Sequence, residues 1–217
     1  MDSRHERSRL AYPATAVAPL MLGALLTHDD GAEPVTVRVT EVEAYMGSGD
    51  PGSHAFRGQT ARNTTMFGEA GHLYVYFTYG MHYCANVVCG VPGQATGLLL
   101  RAGEVMHGLE TARKRRGFPR TDRDLARGPA RLAQALGIDR SLDGADVFTG
   151  SLRLDLPETA GGEAVRDVST GPRVGVSGDG GSLLYPWRFW LTGEPSVSVY
   201  RAAKVRAVGS TPASPNR

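Results

Sequence analysis

Glu41, Glu43 and Tyr45 stand at alternate positions in the run Glu41-Val42-Glu43-Ala44-Tyr45. In an extended chain that spacing puts both carboxylates and the phenol on one side. Carboxylates are also the commonest groups, after histidine, for taking or giving a proton in a reaction. The run closes a stretch, residues 35–45, whose alternation reads as a single strand. Val35, Val37, Val39, Glu41, Glu43 and Tyr45 are expected on one face, with Thr36, Arg38, Thr40, Val42 and Ala44 on the other. Two carboxylates would then share a face with three valines. Because a buried carboxylate must be paired, hydrogen-bonded or protonated, a core-facing stripe that turns acidic at its end is expected to open into a pocket. The plainer alternative is a sheet edge that reaches solvent at Glu41.

Other reactive or recognising groups lie downstream. A turn-forming loop, residues 47–53, delivers His54 and the polar, basic segment from Arg57 to Asn63. The stretch 72–79 reads as a strand with Leu73, Val75 and Phe77 on one face and His72, Tyr74, Tyr76 and Thr78 on the other. Gly80 breaks it and 83–89 resumes, so Tyr79-Gly80-Met81-His82 reads as a hairpin tip carrying large groups that have no core to enter. His82 and Cys84 are read as sheet packing rather than as a metal-ligand pair. Cys84 and Cys89 fit neither a disulfide framework nor a zinc site.

The elements that must position these groups follow from pattern and punctuation. A short helix is expected over 15–26, a turn over 27–31, a third strand over 98–102, helices over 107–116 and from 122 to 137, and a last sheet element over 187–199. Residues 1–11 read as a flexible segment, 12–206 as one domain, and 207–217 as a disordered tail. The chain has 217 residues, is 41% hydrophobic and carries a formal net charge of +2, too little to prove a polyanionic partner by itself. Arginines crowd 113–131, which suits either a solvated face or phosphate contacts. Lysine is scarce: Lys114 and Lys204 are the two in the chain. No run approaches the roughly 20 apolar residues of a membrane span.

Glu43-Ala44-Tyr45, His54, Gln59-Thr60-Ala61-Arg62-Asn63, Met66-Phe67, Leu73-Tyr74-Val75-Tyr76, Tyr79-Gly80-Met81 and Asn86 occur in an order that resembles the alkyladenine (3-methyladenine) DNA glycosylase family. The likeness continues through Leu99-Leu100-Arg101-Ala102, Gly128-Pro129-Ala130-Arg131-Leu132, Gly171-Pro172-Arg173-Val174-Gly175 and Pro186-Trp187-Arg188-Phe189-Trp190.

The resemblance implies an α+β single domain with a curved antiparallel sheet, flanking helices and a protruding DNA-intercalating β-hairpin. It casts Glu43 as the base that activates water, with Arg101 and the Val174 carbonyl helping to hold that water. Tyr45 becomes one wall of a base-binding pocket, His54 and Tyr76 the other, and Asn86 a filter against 2-amino purines. Tyr79 and Met81 become the intercalating wedge, and Arg57, Arg62, Asn63 and Arg131 backbone contacts. The implied partner is double-stranded DNA bearing damaged purines, met by a monomer that is cytoplasmic, nucleoid-associated if bacterial, and needs no cofactor and no metal. Two other readings fit parts of the sequence: a damage-binding protein without catalysis, and an RNA-directed or formyltransferase-like accessory domain. His82, and the glycine-rich 47–53 loop, depart from the better-known members and bear on lesion preference.

Overall fold

The strand expected over 35–45 is the hub of the sheet. The structure, a computed structural model, describes residues 3–78, 80–157 and 167–203. Val35–Tyr45 forms β2 with the expected bounds. Before it come α1 (Ser3–Leu10), α2 (Ala14–Met21) and β1 (Leu25–His28). After it come β3 (Leu73–Thr78), β4 (His82–Val88), β5 (Gly97–His107), α3 (Leu109–Arg115), α4 (Pro129–Leu136), β6 (Leu152–Asp155), β7 (Val168–Gly171) and β8 (Arg188–Leu191). Hydrogen-bonded neighbours run β3-β4-β5-β2-β1-β6 in an open sheet whose pairings are all antiparallel. β5 follows one edge of β2 along its length. On the other edge β1 covers Val35–Arg38 and β8 covers Glu41–Glu43. The result is a single α+β domain, with four α-helices among the described residues.

The valine stripe does not continue into the carboxylates. Val35, Val37 and Val39 belong to the main core, but so do Val42 and Ala44, and on β5 the residues of that core are Leu98 and Leu100. The pairing of β2 with β5 is irregular on both sides of Glu41. Such a bulge reverses which side chains face the core. Glu41 and Glu43 therefore leave the face they were expected to share with the valines, yet both remain fully buried.

α2 and α4 pack over β2, β4 and β5 and close the main core. A second, smaller cluster of Ala55, Met66, Tyr74, Val88 and Ala95 is joined by Phe67 and Tyr76. Tyr74 is a core residue here, 1% exposed. The alternation expected for β3 holds at Leu73 and Val75, which enter the main core, and at Tyr74 and Tyr76, which do not.

Two local expectations are corrected. Residues 3–10, read as part of a flexible opening, form a helix tied to the body. Leu10 is fully buried, Arg7 donates to Asp146 at 2.7 Å, and Arg9 reaches the Pro157 carbonyl at 2.6 Å. The helix expected over 15–26 stops at Met21, and Leu25–His28, read as helix end and turn, is instead a strand between β2 and β6. Gly23, in the left-handed region at φ 83°, makes the corner between them. The C-terminal tail lies outside the described residues.

Candidate active site

Glu43 lies at the wall of an open cleft of about 1550 Å³. Its Oε1 accepts from the Val174 backbone N–H at 2.7 Å and its Oε2 from the Tyr45 hydroxyl at 3.0 Å. Arg101, next along β5 from Leu100, puts Nε 3.4 Å from Glu43 Oε1 and 2.9 Å from Glu41 Oε1. That Nε makes no hydrogen bond among the described residues, so its contact with both carboxylates is charge alone. Burial pushes the Glu43 carboxyl above its ordinary value, against the pull of Arg101 and the Val174 N–H, while the Glu41 charge adds to the rise. A carboxylate with that balance is a better proton acceptor than a surface glutamate.

Beside it, Tyr45 is braced from behind. The Arg173 guanidinium stacks over the Tyr45 ring at 4.5 Å and over Trp187 at 5.4 Å. Arg173 is fully buried and forms two parallel hydrogen bonds of 2.6 Å to Asp50, with further bonds to the carbonyls of Ala44 and Gly180. Asp50 in turn accepts from the Met46 and Gly52 N–H groups and so folds the glycine-rich loop. Gly52 cannot be larger: a Cβ there would stand 2.5 Å from an Arg173 nitrogen that is already held. Burial and the Glu43 charge raise the Tyr45 hydroxyl well above its ordinary value, so it stays protonated and donates.

Across the cleft, His54 meets Tyr76 edge-on, with ring centres 4.6 Å apart, and its Nδ1 lies 3.3 Å from the Tyr74 hydroxyl. Tyr74 and Tyr76 stack at 5.6 Å. Desolvation, then the Arg62 charge, lowers the His54 pKa and favours the neutral ring. Asn86 on β4 is buried and donates to the Tyr74 carbonyl at 3.2 Å. Burial pushes the Cys84 thiol, another cleft residue, up to about 11, which leaves it unreactive as a nucleophile.

A sequence model of the family described as methylpurine-DNA glycosylase matches residues 8–195. The chain belongs to this family. Among its relatives, a Streptomyces avermitilis protein is 54% identical over 199 residues, covering 90% of this chain and 91% of its own. A Leifsonia xyli protein is 55% identical over 190 residues, covering 85% and 87%. One from Corynebacterium jeikeium is 43% identical over 212 residues, covering 94% and 96%. All three are provisionally named 3-methyladenine DNA glycosylases.

In this glycosylase-family chain, seven of the residues singled out from sequence line one cleft: Glu43, Tyr45, His54, Tyr76, Asn86, Arg101 and Val174. They arrive from β2, β3, β4, β5 and two loops. Other expectations separate from it. Asn63, expected at the DNA backbone, is 2% exposed and spends its amide on the His54 and Gly58 carbonyls and the Thr60 N–H. It organises the loop instead. Arg57 is exposed, Arg62 reaches the Phe77 carbonyl, and Arg131 lies 3.8 Å from Asp124. β3 and β4 pair from Leu73↔Val87 to Thr78↔His82, so a hairpin exists, and Met81 in its turn is 69% exposed. Tyr79 lies outside the described residues.

Sequence reasoning missed Asp50, Arg173 and Arg188. Asp50 and Arg173 are 123 positions apart, and no spacing rule joins them. The one available signal was an aspartate inside a loop of glycines and serines, where its side chain could fold the turn.

Proposed function

We propose that the chain is a monofunctional DNA glycosylase of base excision repair. It takes alkylated, deaminated or etheno purines out of duplex DNA and hydrolyses the N-glycosidic bond with water activated by Glu43. Family membership supplies the reaction class. The observation that carries the mechanism is a fully buried carboxylate on the cleft wall, flanked by Arg101 and the Val174 backbone. Water adds to C1′, the bond to the purine nitrogen breaks with its electron pair leaving on the base, and Glu43 takes the proton released by the water. The oxocarbenium-like character at C1′ is stabilised by the same carboxylate.

Extruding a nucleotide costs about a few kcal/mol. Met81, exposed at the hairpin turn, and Tyr79, two positions before it in sequence, are assigned to fill the gap. Tyr45 opposite His54 and Tyr76 would stack the flipped base. A cationic alkylpurine gains cation–π attraction there, about 0.5–2 kcal/mol, which favours lesion over normal base. Asn86 would screen the purine edge. Arg57, Arg62 and Arg131 remain candidates for phosphate. The damage-binding alternative needs Glu43 or Arg101 displaced from the cleft, and both line it. No strand nicking is assigned: a Schiff base needs an amine, Lys114 on α3 does not line the cleft, and Lys204 lies outside the described residues.

Among the described residues no helix is long and apolar enough to cross a membrane. A monomer acting on duplex DNA in the cytoplasm or nucleoid completes the proposal. Duplexes with one alkylated, deaminated or etheno purine each, incubated with the protein and then treated with alkali, test it. Strand breaks that appear only after alkali are expected. No breaks on any of these duplexes would end the enzyme reading, and breaks before alkali, with an adduct trapped by borohydride, would end the water mechanism.

A further inference from the structure

Glu41 is the buried charge that the proposed mechanism leaves unused. It is fully buried, two residues before the base, and satisfied on every side. Oε1 accepts from Arg188 Nε at 2.6 Å and from the Ser198 hydroxyl at 3.0 Å, and Oε2 from the Ser198 N–H at 2.7 Å. Arg188 is held in turn by the Ser198 carbonyl at 2.8 Å and by stacking over Trp190 at 4.5 Å. Arg101 Nε then sits nearer to Glu41, at 2.9 Å, than to Glu43, at 3.4 Å. Two carboxylates thus share two cations, and the glutamate with two cations close by is not the one in the cleft.

We propose that Glu41 is a positioning residue for the reaction: with Arg188 it holds the Arg101 guanidinium partly off Glu43, so that Glu43 faces the cleft as a base and not as the saturated half of an ion pair. The inference rests on the Glu43 water mechanism. Besides Arg101 and Glu41, the titratable and charged groups around Glu43 are Tyr45 on its own strand, Tyr76 on β3, Cys84 on β4 and Arg173 beside Val174. The tyrosines and Cys84 stay neutral near pH 7, and Arg173 is committed to Asp50. Glu41 and Arg101 are therefore the charges left to set the basicity of Glu43.

The test is the acid limb of kcat/KM. Glu41→Gln removes the like charge and frees Arg101 for Glu43, so the limb should move down by about one pH unit. The plateau rate should fall about threefold to tenfold as the base weakens. Arg188→Gln leaves Glu41 less compensated and should move the limb the other way. A lowered melting temperature with both limbs unmoved would make the cluster structural only and overturn the proposal. The wild type gives a reading that needs no variant to be active: 13C NMR of the Glu carboxyls, with the Glu43 signal assigned by its loss in Glu43→Gln. Titration above the ordinary carboxylate range supports the proposal; titration at or below it shows Arg101 fully engaged with Glu43 and overturns it. If Glu43→Gln released base like the wild type, the water mechanism itself would fall. An inactive Glu43→Gln beside an unshifted Glu41→Gln overturns the positioning role alone.

Discussion

The helical face and the cleft both concentrate arginine, and they use it in opposite ways. On the helical face Arg113 pairs with Glu110 and Asp122, Arg115 with Asp30 and the Ala135 carbonyl, Arg116 with Gln134 and the Leu125 carbonyl, and Arg127 with the Val197 carbonyl. Around the cleft Arg101, Arg173 and Arg188 are buried against carboxylates and aromatic rings. Linear charge density singles out the first set, although it is largely consumed by the fold. The second set is scattered one by one through the chain and carries the electrostatics of the site. Desolvation is the difference: an exposed pair contributes little, whereas a buried one strongly resists losing a partner.

Removing the base should break the comparison most sharply. Glu43→Gln is expected to release damaged purines about 10²–10⁴-fold more slowly while still binding the lesion, measured by single-turnover base release and gel shift. Neutralising any one arginine of the helical run other than Arg131 should leave the single-turnover rate within about twofold, because none of these is assigned a place near DNA. A comparable loss from Arg113→Gln would return chemistry to the helical face.

Stability separates the two sets next. Arg173→Met strands Asp50 without its cation inside the protein and should cost about 3–5 kcal/mol in urea unfolding. Arg113→Met should leave the urea midpoint unchanged within error. Equal losses would show that burial is not what distinguishes the two regions.

A pH-dependent effect sharpens the cleft side. The Glu43 pKa in the folded protein is raised above the ordinary 4.5, chiefly by burial, so the folded state holds this proton more tightly than the unfolded chain. The stability this contributes is present below that ordinary value and is lost as pH rises through the raised one. Glu43→Gln stays neutral throughout and should melt about 2–4 °C above the wild type at neutral pH, with the gap closing in acid. A variant that melts lower than the wild type at neutral pH would contradict that direction.

The smallest expected effect is on salt dependence. Neutralising Arg113, Arg115 and Arg116 together should scarcely change the slope of log K against log salt for duplex binding, since these cations already have internal partners. Neutralising Arg57 and Arg62 should reduce that slope by about one for each phosphate they would otherwise neutralise. A large change from the helical set would show that its ion pairs open to DNA.

Sequence alone determined the β2 bounds, the alternation of β3 and the family blocks that carry Glu43, Tyr45, His54, Tyr76, Asn86, Arg101 and Val174. Those features are legible because strand period and motif are local properties of neighbouring residues. Tertiary structure decided that the core stripe of β2 changes sides near Thr40 and that residues 3–10 dock as a helix. It also turned Asn63 inward, seated Arg173 behind Tyr45 and gave Arg101 two carboxylates to share. Asn63 finds its partners within nine positions, but the buried charges depend on partners far away in the chain, 123 positions for Asp50 and Arg173 and 147 for Glu41 and Arg188. Whether a buried charge is stable is a property of what surrounds it in space, and local pattern does not encode that.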